Sequence, residues 1–457
     1  MTLKEILVGF GNAMWGTPLL LLLMGGGLFF LLYSRFLPFR YLKHAIQILR
    51  GKYDKDQSEG DINHYQALST ALAATVGMGN ISGVAVAITM GGPGAIFWMW
   101  VSAFVGMATK FFTCTLAVMY RGKDSLGHLQ GGPMYVIREG LGKKWQPLAV
   151  LFCVAGMFGT IPSFQSNQLT AAIGEGLLLP MGIELTFGIK LTIGIILAII
   201  VAMVILGGIK RIGTVAGRMV PLMVGIYVVS VIAILVLNYE LVPQYLKLIF
   251  VDAFTANSVL GGAVGAIVVA GARRAAFSNE AGIGTAPMAH GAAKTNEPVR
   301  EGLVAMMGPA IDTIIVCTMT ALAILITGIW QDHTEGISGV TLTIKAFDDS
   351  LWGGRYLLVL ALFIFAITSL FSYSYYGGKC FSYLFGAQHV RWYQYFYIGM
   401  VIWGSIASLG AVIGLIDGMY ALMAFPTMIS AFILAPKVMK AAKVYFAKDD
   451  LKQKREH

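Results

Sequence analysis

Two short polar stretches stand out in a chain that is otherwise strongly apolar. Ala73 to Gly83 reads AATVGMGNISG, and Ala276 to Gly284 reads AFSNEAGIG. Gly77, Gly79 and Gly83 in the first, and Gly282 and Gly284 in the second, with Gly271 shortly before it, weaken a helix where they stand. Asn80 and Ser82 suit the start of a new helix just after Gly79. A helix broken in this way leaves carbonyl groups free on one stump and N–H groups free on the other. Lipid cannot satisfy either, so the break must line a cavity or be buried in protein. Free carbonyls suit a bare cation, and free N–H groups at a helix start suit a carboxylate. A zwitterion lying beside a cation would use both. Glu280, next to the second break, is too costly to face lipid. It must line the cavity or cap a half-helix.

Other chemistries find less support. No G-x-x-x-x-G-K-[ST] stretch and no H-E-x-x-H stretch occurs, nor does a nucleophile–base–acid set, so neither nucleotide-driven work nor a membrane enzyme is supported. Paired breaks, rather than one pore ring repeated by symmetry, argue against a channel. Cys114, Cys153, Cys317 and Cys380 lie singly in or beside apolar segments and lack zinc spacing. His128, His290 and His389 fall near the ends of apolar segments, where solvation is expected. The formal charge of +10 is not gathered into a basic stripe with interleaved aromatics, so nucleic acid is not an expected partner. No organic cofactor is expected.

The elements that must hold the two breaks follow from hydropathy. Of the 457 residues, 57% are hydrophobic and only 12% are charged, about half the charge of a soluble domain. Leu19 to Leu32, Ile193 to Leu206, Pro221 to Leu237 and Ile314 to Ile326 carry no charge at all. A bilayer core about 30 Å thick takes about 20 apolar residues per helix. The sequence therefore predicts an all-α polytopic membrane protein of about eleven spans, near 17–34, 66–90, 94–119, 147–178, 190–207, 212–237, 259–290, 301–328, 354–384, 393–411 and 417–437, with a basic cytoplasmic tail over 438–457. The first span has no small-residue cleavage pattern and reads as a retained helix.

Most of the 33 Lys and Arg residues fall on one side if the N-terminus is outside. The other side then holds only Lys4, Lys190, Lys247, Lys345 and Arg355. Basic loops stay in the cytoplasm, so the expected orientation is N-terminus outside and C-terminus inside, in the cell membrane. The two interrupted spans are five spans apart. That odd number places the two halves in opposite orientations, a sequence pointer to a transporter's central site.

Gly91 to Gly106 reads GGPGAIFWMWVSAFVG. This stretch, with GGPMYVIREGLG (Gly131 to Gly142) and AFSNEAGIGTAPMAHGAAKT (Ala276 to Thr295), resembles the alanine or glycine:cation symporter family over nearly the whole chain. The resemblance implies the leucine-transporter fold: two inverted five-helix repeats, about 66–237 and 259–437, plus the extra helix 17–34, in a single transmembrane domain. It implies a secondary symporter that imports a small neutral amino acid, alanine or glycine, with a co-transported sodium ion.

It also implies residue roles. Thr75, Gly77 and Asn80 would adjoin the substrate, whose carboxylate the amides of Met78 and Gly79 would hold. Phe277 and Ser278 resemble the aromatic and hydroxyl residues before the second break, and Ile283 would close the side-chain pocket. Thr75, Asn80, Ser278 and Asp312 would surround a first sodium. Asp312 stands where relatives carry an amide, so a proton there is an alternative. Thr368 and Ser369, with the carbonyls of Ala73, Val76 and Phe365, would form the other sodium site. Both hydroxyls have an alternative role, bonding back to carbonyls of their own helix. Phe164 and Gln168 are expected to line the pocket, although mid-span amides also bind neighbouring helices. Arg273, Arg274 and Asp417 would form an outer gate, with simple ion pairing as the alternative.

Overall fold

The computed structural model describes residues 3–53, 58–254, 263–331, 339–407 and 410–453. It is all-α apart from one small hairpin, Gly122–Lys123 paired with Leu129–Gln130. The expected beginnings of the seventh span (259–262) and part of the tenth (408–409) lie outside the described residues, as do 454–457.

Eight helices are long and apolar enough to cross a bilayer, and a ninth span consists of two pieces. That bent pair is His64–Thr75 with Gly79–Gly91, which turn by 53° about the first break. The seventh span is likewise divided, into Ala263–Asn279 and Thr285–His290. Val390–Ile406, with 17 residues, supplies the tenth. About eleven spans is therefore the architecture, with three of them too broken or too short to register by length alone.

Several expected boundaries shift for identifiable reasons. The fourth span is not continuous: Gln146–Gly159 stops at Thr160, and Ser163–Ile173 restarts behind Pro162. A proline there has no N–H to offer the preceding turn. The eleventh span divides between Gly410–Leu422 and Ala424–Gln453. The second of these helices carries the basic tail as helix through Gln453.

An additional helix, Leu3–Met14, precedes the first span. It runs against Gly410–Leu422, and the two cross glycine on glycine. A Cβ added at Gly11 would lie 2.7 Å from the Gly414 carbonyl oxygen. Without a hydrophobic force between helices in lipid, such small-residue crossings supply close van der Waals contact.

The third span, Gly94–Met119, lies near the centre of the bundle. Both broken helices, the first span and the eighth span pack on it. The spans Phe187–Ile205 and Gly208–Leu237 lie at the periphery, and most of their residues face outward.

The Gly11–Gly414 crossing sets a first prediction. Gly11→Leu should lower stability by about 1–3 kcal/mol, the range for overpacking a filled contact. Thermal unfolding in detergent measures it. Gly9, whose added Cβ meets nothing within 4 Å, is the control: Gly9→Leu should unfold with the parent.

Candidate functional site

The first break begins where the helix His64–Thr75 loses its hydrogen-bond ladder. Val76 N–H still donates to Leu72 O at 2.7 Å. Gly77 N–H turns instead to the side-chain oxygen of Asn80, at 2.8 Å. The Ala73 carbonyl thereby loses the donor that a continuing helix would give it. Ser369, from the ninth span, places its hydroxyl 3.0 Å from that oxygen. The same hydroxyl lies 3.0 Å from Phe365 O and 3.5 Å from Ala74 O. One hydroxyl has one proton to donate. Three carbonyl oxygens thus converge on a group that can satisfy only one of them, an arrangement rich in oxygen and poor in protons. A Cβ at Gly77 would lie 2.8 Å from Ser369 Oγ, so the close approach depends on glycine.

Thr368 behaves differently. Its hydroxyl lies 3.0 Å from both Ile364 O and Phe365 O on its own helix, and 3.5 Å from Met223 Sδ. Thr75 Oγ likewise reaches back to Leu72 O at 3.5 Å. Of the two hydroxyls read together in the sequence, Ser369 alone reaches the first break.

Beyond the break, no backbone carbonyl among the described residues accepts from the N–H of Met78 or Gly79. Gly79 itself lies against the second broken helix. A Cβ on Gly79 would meet Ser278 Cα at 3.6 Å and Phe277 Cδ1 at 3.7 Å. The pairing of Gly79 with Phe277 and Ser278 is thus a matter of geometry here.

The two breaks are joined through one carboxylate. Asn80 Nδ2 donates to Asp312 Oδ1 at 2.6 Å and approaches Asp312 O at 3.1 Å. Ser278 Oγ donates to Asp312 Oδ2 at 2.9 Å, and Thr313 Oγ1 to the same oxygen at 2.7 Å. Asn279 Nδ2 extends the network to Thr313 Oγ1 at 3.2 Å. All of these side chains are buried. A wide helical turn over Ala310–Cys317 presents Asp312 at this point; such turns are frequent at functional sites.

The second break bends through three left-handed residues: Glu280 (φ 56°), Gly282 (φ 89°) and Gly284 (φ 108°). Glu280 is not glycine, and its conformation is held by its side chain. Tyr373 OH donates to one carboxylate oxygen at 2.8 Å, and Thr285, which opens the second half-helix, donates to the other. Ile283 is fully buried, and its carbonyl accepts from Thr427 Oγ1 at 3.0 Å.

Above Gly79, Phe277 sits in an aromatic cluster. Its ring centroid is 6.2 Å from Phe164, edge to face, 6.3 Å from Trp15 and 6.0 Å from Tyr420. Phe164 and Phe277, each named from the sequence as a pocket candidate, meet here. Trp15 and Tyr420 were not anticipated. Gln168 is half-buried on the same helix as Phe164, while Asn167 donates to Gly404 O and Ala407 O of the tenth span. Arg273 lies over Trp15, 5.8 Å from the ring centroid, and Trp15 Nε1 donates to Asp417 O at 3.0 Å. Two of the three expected gate residues, Arg273 and Asp417, therefore gather at one end of the cluster, both touching Trp15.

At the other end of the broken helices lies a buried triad. His64 opens the first half-helix, and its Nδ1 meets Glu301 Oε2. His290 closes the second half-helix, and its Nδ1 lies 2.5 Å from Glu301 Oε1. The expectation that His290 is solvated is wrong: it is fully buried, because its ring is needed against Glu301. Its pairing with a residue 11 positions on is not a motif that hydropathy reveals. Backbone bonds brace the same place: Asp61 N to Ala292 O at 2.8 Å and Lys294 N to Ile62 O at 2.6 Å. Arg121, just outside the third span, reaches the carbonyls of Gly291, Ala293, Thr295 and Glu59. Burial draws the Arg121 guanidinium down from its ordinary value, and the Glu301 charge opposes that.

With this geometry in view, the comparisons with known proteins are decisive. The family model for the sodium:alanine symporter family matches residues 1–457. The chain belongs to that family. A Haemophilus influenzae protein described as an uncharacterized transporter is 42% identical over 98% of this chain and 97% of its own length. The sodium/alanine symporter AgcS of Methanococcus maripaludis is 40% identical over 94% of each chain. Among solved structures, MhsT in complex with L-phenylalanine aligns with a TM-score of 0.57 at 14% identity, covering 84% of this chain and 99% of that one. At that identity the likeness establishes the fold alone, the leucine-transporter fold. The protein is accordingly a multi-pass, sodium-coupled amino-acid symporter and not an enzyme.

The Asp312 hub sets the second prediction. Asp312→Ala strands the buried donors of Asn80 and Ser278 on two different helices. It should cost about 3 kcal/mol or more, since each stranded donor costs about 1–3 kcal/mol. Thr313→Ala, which strands one donor, Asn279 Nδ2, and none on the first broken helix, should cost less, about 1–2 kcal/mol. Equal shifts of the two unfolding midpoints would remove Asp312 from its central place.

Proposed function

We propose that the protein imports a small neutral amino acid, alanine or glycine, with sodium, by alternating access around the space between its two breaks. The observation that carries this reading is the pairing of opposite needs at the first break. Among the described residues, the amides of Met78 and Gly79 have no backbone acceptor, with Gly79 against Phe277 and Ser278, and the Ala73 carbonyl oxygen, freed of its helical donor, faces Ser369 beside Phe365 O. A zwitterion and a hard cation have the matching groups.

In this reading the substrate carboxylate lies on the Met78 and Gly79 amides, near Thr75, Gly77 and Asn80. Its side chain lies toward Phe277, Phe164 and Gln168; the preference for a small substrate rests on the family alone. Ile283 closes the side-chain pocket. The sodium ion rests between Ala73, Val76, Phe365 and Ser369, with Thr368 beside it. Asp312, with Thr75, Asn80 and Ser278, takes the place of the other cation site. The two inverted repeats lie at about 66–237 and 259–437, with 17–34 as an added helix. The orientation is N-terminus outside and C-terminus in the cytoplasm of the cell membrane. The Trp15–Arg273–Asp417 cluster then lies on the outer path, and the His64–Glu301–His290 triad on the inner one.

The buried Asp312 carboxylate supports a second reading in which a proton accompanies the substrate. Labelled alanine uptake into proteoliposomes separates the two: an imposed sodium gradient should drive accumulation, and a pH gradient without sodium should not. Accumulation on the pH gradient alone would favour the proton.

Gly79→Leu should abolish alanine binding, because the added side chain points at Phe277 and Ser278 and covers the amides. An unchanged alanine affinity would move the substrate elsewhere. Ser369→Ala should weaken the sodium dependence of uptake about tenfold, equivalent to about 1.4 kcal/mol. Thr368→Ala should weaken it less, since that hydroxyl is turned to its own helix. The reverse order would relocate the ion.

A further inference from the structure

At the end of the first span lies a cavity of about 420 Å³ that the transport cycle does not use. Tyr33, Arg35, Arg40 and Tyr41 line one wall; Lys443 and Phe446 of the C-terminal helix line the other. No acidic residue lines it. Among the described residues, none of the three cationic side chains has an ion-pair partner; Arg40 lies over the Tyr41 ring, 5.8 Å from its centroid. Among the described residues, three positive charges therefore border one concave space whose lining holds no carboxylate.

The site is built rather than accidental. The chain turns out of the first span through two successive left-handed residues, Arg35 (φ 52°) and Phe36 (φ 58°), neither of them glycine. Such a turn persists only where its surroundings fix it. Phe36 N donates to Leu31 O at 3.0 Å, Leu37 N to Ser34 O at 3.2 Å, and Ser34 Oγ to Leu31 O at 3.1 Å. The Tyr41 and Phe446 rings stack at 3.7 Å, and His44 Nε2 lies 2.7 Å from Tyr445 OH, joining the two walls.

We infer that this cavity binds the phosphate-bearing headgroup of an anionic phospholipid. The cations supply the charge match, and the volume suits a headgroup. The position favours a lipid over a free anion. Ser34 directly follows the membrane helix, and Leu32, Tyr33 and Phe36 stand 56%, 41% and 49% exposed beside the cavity. An acyl chain would cover these apolar side chains; inorganic phosphate would not. The orientation proposed above decides only which leaflet supplies the lipid, the cytoplasmic one.

The test uses the delipidated full chain in detergent, with thermal unfolding and lipid binding by native mass spectrometry as readouts. Phosphatidylglycerol should raise the unfolding midpoint and remain bound, and phosphatidylcholine should do so much less. Each of Arg35→Gln, Arg40→Gln and Lys443→Gln should weaken phosphatidylglycerol binding about fivefold, the loss for one basic group near an anionic surface. Lys143→Gln with Lys144→Gln, in the exposed helical turn Lys143–Trp145 elsewhere, should change nothing. Equal stabilisation by the two lipids, equal loss in the Lys143 and Lys144 variant, or full stabilisation by inorganic phosphate alone would each overturn the inference. Should a variant fail to fold, the parent protein still decides. Added sodium chloride should release phosphatidylglycerol from it by screening, and salt-independent binding would refute a charge-matched site.

Discussion

Everything in this structure depends on one constraint: a backbone that leaves its helical ladder inside a membrane must find its partners within the protein. At the first break the partner is Asn80, whose side-chain oxygen takes the Gly77 N–H that Ala73 would otherwise have received. That single exchange frees a carbonyl on one side and commits the Asn80 amide on the other. The committed amide then needs an acceptor, and Asp312 supplies it. Asp312 in turn needs further donors to be buried as a carboxylate, and Ser278 and Thr313 provide them. The second broken helix is thereby attached to the first through a chain of obligations that begins with one displaced hydrogen bond.

The same logic explains the contrast between the two ends of the broken helices. Around Phe277 the contacts are rings at 6.0–6.3 Å, which slide at modest cost. Around Glu301 they are hydrogen bonds among fully buried groups, reinforced by backbone pairing and by the four carbonyls that Arg121 holds. Buried polar networks are either fully satisfied or costly. One end can therefore loosen gradually, whereas the other holds or releases as a unit.

Much of this was legible in the sequence, for physical reasons. Charge-free runs reveal spans because lipid tolerates little else. The Gly77–Gly79 and Gly282–Gly284 pairs reveal breaks because glycine is out of place in a helix interior, and the spacing of the breaks reveals inversion. Partners distant in the chain were not legible. Trp15 sits outside the first span in hydropathy, yet it meets Phe277 because the Leu3–Met14 helix folds back against Gly414. His290 sits at a helix end, where solvent was expected, yet Glu301 buries it. Thr368 and Ser369 look equivalent as neighbours; a helical offset of about 100° sends only Ser369 toward Ala73. Pattern reports what each segment needs, while only the folded chain reports who meets the need.

The Asn80–Asp312 bond has a consequence for how the protein is made. Its partners are 232 residues apart, and His64 and Glu301 are 237 apart. At a synthesis rate of about 5–20 residues per second, the first broken helix leaves the ribosome roughly 10–50 s before its acceptor exists. Throughout that interval its loosened turn has no native partner, and the bilayer offers none. Biogenesis of this chain is therefore a waiting problem. The first broken helix must be sheltered, by the insertion machinery or at the aqueous boundary, until the eighth span arrives to receive it.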